Sequence, residues 1–149
     1  MTLREVKAGL IKLLKTKYPA SKYKYYSASV VEGYERPCFF TQLRPTSVEN
    51  VNINTRKNKM SFYITFMQKK VDEAACLDMI EEIRDLFGLY VQIGDRAIDV
   101  TDFEWDFIGT ERNTPEIEIR LEWFDAIEHK ETTPIMQVLE IRKENIMED

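Results

Sequence analysis

Acidic side chains recur at alternate positions late in the chain, a spacing that could bring several carboxylates together on one face of a strand. Asp102, Glu104 and Asp106 have this spacing, and Asp99 lies just before them. Alternate residues of a strand share a face, and carboxylate oxygens suit magnesium or calcium. The same pattern also suits the solvated face of an edge strand, which we prefer because the sequence has no EF-hand loop or H-E-x-x-H motif. A small metal-dependent enzyme remains an alternative.

Other catalytic chemistry has little support in the sequence. The single histidine, His129, lies in a polar stretch with no nucleophile beside it. Cys38 and Cys76 lie in apolar runs outside any C-x-x-C pair, which predicts two buried, reduced thiols. The five glycines are scattered singly, so no glycine-rich loop could hold a phosphate. We therefore expect no catalytic residue, no cofactor and no metal, and predict that the chain is not an enzyme.

Basic and aromatic residues suggest a second alternative. Lys24 lies between Tyr23 and Tyr25, and stacking combined with positive charge can bind single-stranded nucleic acid. A basic cluster of Arg56, Lys57 and Lys59 opens a predicted strand. The net charge of −5 argues against broad nucleic-acid binding, which needs a basic surface. The basic cluster could equally meet acidic residues on another copy of the chain.

The clearest structural signal is the alternation from Pro115 to Phe124. One face of this strand carries Ile117, Ile119, Leu121 and Trp123. The other face carries Glu116, Glu118, Arg120 and Glu122. A strand with one apolar and one charged face predicts an antiparallel sheet that is solvated on one side.

Two helices accompany this sheet. Thr2–Lys17 opens with a T-x-x-E capping box, and Asp72–Phe87 has an acidic first turn and a following Gly88. The other strands are predicted at Lys22–Val31, Pro37–Leu43, Asn58–Gln68, Leu89–Ile93, Arg96–Thr101 and Phe103–Ile108, with Arg44–Thr55 as an exposed connection. The order predicts an α+β fold, a mainly antiparallel sheet with both helices packed on one face.

A single domain is expected over residues 1–125, followed by a C-terminal extension over residues 126–149 that could act as an assembly arm. This extension contains the apolar pair Ile135 and Met136. No apolar run reaches the ~18 residues that a membrane span needs, and no signal-peptide pattern is present.

Several stretches together resemble a known family. They are the capped first helix, the tyrosine-rich strand, R-P-C-F-F-T-Q-L, K-M-S-F-Y-I-T-F-M and D-F-E-W-D-F-I-G-T-E-R-N-T-P-E-I-E-I-R-L-E-W-F. From Leu3 to Phe124 the chain resembles the small tail terminator proteins of Gram-positive phages, defective prophages and phage-tail-like bacteriocins. Another tail-completion or head-closure (neck) protein is the nearest alternative.

The resemblance implies a homo-oligomeric ring, usually a hexamer, on the head-proximal end of a tail tube, where it ends tube polymerisation. Its expected partners are the tail tube protein and neck, collar or sheath proteins, with DNA only as passing cargo and no membrane. The expected location is a virion or phage-tail-like particle assembled in the bacterial cytoplasm. No catalytic residue carries over from the family, and an acidic lumen would let DNA pass without sticking.

A ring needs surfaces for its neighbours and for the tube. The stretches considered are the Arg44–Asn58 connection, the Asn113–Glu116 turn and the apolar segment from Ile135. The candidate assembly surface is Arg56, Lys57, Lys59, Arg112, Glu116, Glu118, Arg120, Glu122, Ile135 and Met136.

Overall fold

The computed structural model describes residues 1–27 and 33–128, which form two helices and one six-stranded sheet. The elements are α1 (Leu3–Lys17), β1 (Lys24–Ser27), β2 (Cys38–Asn50), β3 (Thr55–Met67), α2 (Glu73–Phe87), β4 (Tyr90–Ile93), β5 (Arg96–Ile108) and β6 (Thr114–Ala126). The strand order is β1-β2-β3-β6-β5-β4. The pair β1–β2 is parallel, and the other four neighbouring pairs are antiparallel. The predicted α+β fold is confirmed.

Both helices begin where the capping residues predict. The Thr2 hydroxyl accepts a hydrogen bond from the Glu5 amide at 3.2 Å, and the Glu5 carboxylate accepts one from the Thr2 amide at 2.9 Å. The Asp72 carboxylate accepts from the Ala75 amide at 3.2 Å. Gly88 ends α2 with a φ of 61°, a conformation that favours glycine.

The core lies between the two helices and one face of the sheet, which we call the helix face. Its fully buried side chains include Val6, Leu10, Leu14, Phe39, Phe62, Ile64, Ile83, Ile98 and Ile119. Helix α1 also approaches β4 closely at Gly9, where an added Cβ would lie only 2.9 Å from the Ile93 Cγ2 atom. The opposite side of the sheet, which bears Tyr63, Glu118 and Arg120, we call the open face.

The stretch Arg44–Thr55 is mostly exposed, as predicted, but the prediction that all of it is a connection was wrong. Strand β2 runs on to Asn50 and pairs with β3 as far as Asn50 opposite Arg56, so only residues 51–54 form the turn. The stretch reads as polar because Arg44, Ser47 and Glu49 occupy the open face. Pro45 is tolerated because the pairing shifts register between Pro45 and Ser47.

Strand β5 is also longer than the sequence suggested. The two strands predicted at Arg96–Thr101 and Phe103–Ile108 form one strand, with a register shift between Val100 and Asp102. A bulge restores the pairing after the shift, which explains why the alternation appeared to start again.

Strand β1 covers Lys24–Ser27 and pairs in parallel with Cys38–Thr41. The rest of the predicted Lys22–Val31 strand runs into residues 28–32, which lie outside the described residues. The boundary after residue 125, between the domain and the C-terminal extension, stays a prediction because residues 129–149 also lie outside the described residues. Neither described helix is long and apolar enough to cross a membrane.

Both cysteines are free and buried, as the sequence predicts, and burial raises the pKa of each thiol. We expect neither Cys38 nor Cys76 to react with Ellman's reagent in the folded protein at pH 8, because the thiolate is both scarce and shielded. Two thiols should react once guanidinium unfolds the chain. A Val48→Cys variant is the matched control, because Val48 is exposed and its cysteine should react at once. Rapid labelling of the native wild-type protein would contradict the burial.

Candidate assembly surface

Arg120 lies at the centre of the open face, among carboxylates from two strands. Its Nη1 atom is 3.5 Å from Asp102 Oδ2, its Nη2 atom 3.6 Å from Glu104 Oε2, and its Nε atom 3.6 Å from Glu118 Oε1. Strand register produces this arrangement, because Asp102 pairs opposite Arg120 and Glu104 opposite Glu118. The guanidinium is half-exposed, so water and salt weaken each of these ion pairs.

Acidic groups outnumber this one guanidinium. The acidic patch, as we call it, consists of Asp102, Glu104, Asp106, Glu116 and Glu118. Two of its members are held by hydroxyls of β3: Glu118 accepts from the Tyr63 hydroxyl at 3.2 Å, and Glu116 from the Thr65 hydroxyl at 3.4 Å. Within residues 1–27 and 33–128, no group of three or more His, Cys, Asp or Glu side chains could hold a metal ion. The metal-dependent alternative therefore has no ligand set in this part of the chain.

The basic cluster lies beside β6 of its own chain. Lys57 Nζ is 2.7 Å from Glu122 Oε1, and Lys59 Nζ is 3.4 Å from Glu49 Oε1. The hydrogen bond to Glu122 raises the pKa of Lys57. Arg56 is exposed, and no described residue forms an ion pair with it. Two of the three predicted basic residues are thus paired within the chain, and Arg56 stays available to a partner.

Asp125 is a central polar residue that the sequence analysis did not identify. Its carboxylate accepts from Asn58 Nδ2 at 2.9 Å and from Trp123 Nε1 at 3.0 Å, and it forms an ion pair with Arg96 at 2.5 Å. Arg96 also donates to the Phe124 carbonyl. Asp125 therefore joins β3, β6 and β5 at their shared end. The sequence did contain one signal for this role. Asp125 lies two positions after Trp123, and the indole N–H of a buried tryptophan needs a hydrogen-bond acceptor.

Tyr23, just before β1, and Tyr25, within β1, pack against aromatic residues of the protein itself. The Tyr23 ring centroid lies 5.4 Å from that of Tyr18 and 5.5 Å from that of Phe39, while Tyr25 stacks on Phe39 at 5.4 Å. The Tyr25 hydroxyl donates to the Tyr18 carbonyl, and burial raises the pKa of both phenols. Because these rings already pack against aromatic neighbours, they do not form a platform on which bases could stack. The nucleic-acid alternative loses its proposed aromatic contacts.

The remaining candidates lie elsewhere. Arg112 is in the β5–β6 turn with a φ of 52°, and its amide donates to the Gly109 carbonyl at 3.1 Å. It lines a shallow groove with Val71, Glu73 and Phe107 rather than joining the acidic patch. Ile135, Met136 and His129 lie outside the described residues.

Comparisons with known proteins identify a family. The family model for phage tail terminator protein matches residues 5–133. One solved structure aligns with 88% of this chain and 99% of its own chain, with a TM-score of 0.53 and 14% sequence identity, which shows a shared fold alone. No curated protein sequence matches the chain significantly.

We expect Asp125→Ala to lower the free energy of unfolding by about 2–3 kcal/mol, because it leaves buried donors of Trp123 and Asn58 without their acceptor. Urea unfolding measures the change. Asp99→Ala is the matched control, since Asp99 is exposed in the same sheet, and it should alter stability by no more than about 0.5 kcal/mol. Equal effects of the two substitutions would contradict the role of Asp125.

Arg120→Gln should lower stability by about 1 kcal/mol at low salt, because it leaves the surrounding carboxylates to repel one another. High salt should shrink the loss, since these groups are partly exposed. Adding Glu104→Gln should recover part of the loss by removing one of the repelling charges. A loss that is independent of salt, or a further loss in the double variant, would show that Arg120 acts through packing instead.

Proposed function

We propose, from the premise that this chain belongs to the phage tail terminator family, that it forms a ring on the head-proximal end of the tail tube and ends tube polymerisation. The chain is a structural protein of a phage tail. The observation that carries the proposal is the family match over residues 5–133, which spans most of α1 and all later described elements. The proposed role of the chain is assembly, which requires no catalytic step.

The shape of the sheet suits a ring subunit. Strands β2, β3, β5 and β6 each have 13 residues, so the four together form a long, stiff wall. The β2–β3 turn at residues 51–54 lies at one end of this wall and the β5–β6 turn with Arg112 at the other. A ring with such walls would offer one end to the tail tube protein and the other to neck, collar or sheath proteins. Residues 126–149, which include Ile135 and Met136, are proposed as an assembly arm.

The acidic patch suggests which face lines the lumen of the proposed hexamer. It carries five carboxylates, three of which pair with Arg120, and it lies on the face that the helices do not cover. A negatively charged wall repels DNA phosphates, so it would let DNA pass without binding it. We therefore propose that the open face looks toward the ring axis. The helices, which cover the other face, would then lie on the outside.

Deletion of the gene from its producing strain tests termination. Without the ring, tube subunits would keep adding, so tails longer than the normal length should appear by negative-stain electron microscopy. The wild-type gene supplied on a plasmid should restore the normal length. Tails of normal length in the deletion strain would defeat the proposal. Tails of normal length that fail only to join heads would instead indicate a neck protein.

A further inference from the structure

The sheet ends in two strand edges that no described strand covers. Strand β1 pairs with β2 only at Cys38–Thr41, which leaves Gln42–Asn50 open. Strand β4 pairs with β5 only at Arg96–Asp99, which leaves Thr101–Ile108 open. We call these stretches the β2 edge and the β5 edge. An open edge presents unpaired backbone donors and acceptors that can take up another strand.

From these edges we infer that neighbouring copies of the chain join edge to edge. The β2 edge of one copy pairs with the β5 edge of the next as antiparallel strands, so that one sheet continues through both copies. The inference rests on the proposed ring and names the surface by which its subunits meet. The occupant of each edge is therefore a second copy of this chain.

Strand direction supports the pairing. The sheet order β2-β3-β6-β5 reverses direction at every step, so β2 and β5 run antiparallel to each other. A second copy related by rotation about a ring axis keeps its own strand directions relative to that axis. Its β2 edge therefore meets the β5 edge in an antiparallel sense, and the helix faces stay on the same side. Such an interface uses two different surfaces and repeats around a ring.

Each edge exposes a large apolar side chain on the helix face. Val48 is 57% exposed on the β2 edge, and its register partner Asn58 points toward the buried side. Trp105 is 49% exposed on the β5 edge, opposite the buried Ile117. Pairing of the edges would bring these two side chains onto one face, where they could cover each other.

The charges of the two surfaces are opposite. The β2–β3 hairpin carries Arg44, Arg56, Lys57 and Lys59 against the single Glu49. Among the described residues, Arg44 and Arg56 have no ion-pair partner, and Arg44 rests over the Tyr63 ring at 4.6 Å. The β5 edge carries Asp102, Glu104 and Asp106 on its open face, the face of Arg44, whereas Arg56 lies on the helix face. The opposite net charges of the β2–β3 hairpin and the β5 edge would guide the encounter and disfavour the pairing of two like edges.

The offset between the edges suits a closed ring. Val48 on the β2 edge is level with Trp123 of β6, and Trp105 on the β5 edge is level with Ile117, six residues away along β6. This offset is about 20 Å at the usual rise per residue, and four strands are about 19 Å wide. Pairing Val48 opposite Trp105 thus tilts the strands by about 45° from the ring axis, close to the tilt that closed sheets adopt.

Cross-linking in assembled tails tests the pairing. A Val48→Cys/Trp105→Cys variant would complement the deletion strain, and its purified tails would be treated with a short bis-maleimide cross-linker. We expect the monomer band to give way to a ladder of multimers on a denaturing gel. Each single variant should stay monomeric. Leu77→Cys/Trp105→Cys is the matched control, since Leu77 is 47% exposed but lies on α2, away from both edges, and this variant should stay monomeric.

Charge reversal provides a second test that does not depend on cysteine geometry. Arg44→Glu/Arg56→Glu should prevent ring assembly and give overlong tails, and adding Glu104→Lys/Asp106→Lys should restore the normal length. Lys12→Glu/Lys17→Glu on the exposed side of α1 is the control, and it should terminate normally.

The outcomes separate this inference from the proposed function. The edge pairing would be overturned if the double cysteine variant gave only monomers although its tails had normal length and contained the protein. Termination would be unaffected by that result. The edge pairing would also be overturned if Arg44→Glu/Arg56→Glu terminated tails normally, or if the fourfold variant did not restore the normal tail length. Failure of the gene deletion to lengthen tails would instead defeat the proposed function.

Discussion

The packing of the helix face of β3 and β6 against α1 and α2 is the constraint on which the structure depends. Phe62 and Ile64 of β3 and Ile119 of β6 are fully buried there, and their positions fix which residues pair across the strands. A slip of one residue would turn these side chains toward water, so register is strongly specified. The same register brings Glu118 and Arg120 together with Asp102 and Glu104 on the open face. The apolar core thus positions the charged surface.

The sequence predicted the elements whose signals are local. Capping by Thr2 and Asp72 marked the starts of both helices, and the alternation in Pro115–Phe124 predicted a strand with one buried face. The extension of β2 through Arg44–Asn50 was missed, because an edge strand with a polar open face and a proline at a bulge resembles a loop in composition. The parallel pairing of β1 with β2 has no local signal at all.

The candidate surface was predictable in composition but not in detail. Sequence spacing placed Glu116, Glu118 and Arg120 on one face of a strand, and the structure does the same. The sequence alone could not show that Lys57 binds Glu122 of its own chain, or that Asp125 joins three strands, because both contacts depend on which strands are neighbours. Tyr23 and Tyr25 illustrate the opposite error. Their spacing suggested an exposed stacking surface, whereas the Tyr23 ring packs against Tyr18 and Phe39 and the Tyr25 ring stacks on Phe39.

In this subunit the buried face of the sheet sets the strand register, the open face carries charge, and two strand edges are left without a partner among the described strands. The central claim is a ring at the end of a tail tube. A three-dimensional reconstruction of the head-proximal end of the tail by electron cryomicroscopy measures this directly. We expect a closed ring of copies of this chain, with the sheets continuous between neighbours and the acidic patch facing the axis. A ring whose lumen is basic, or a chain located away from the end of the tube, would contradict it.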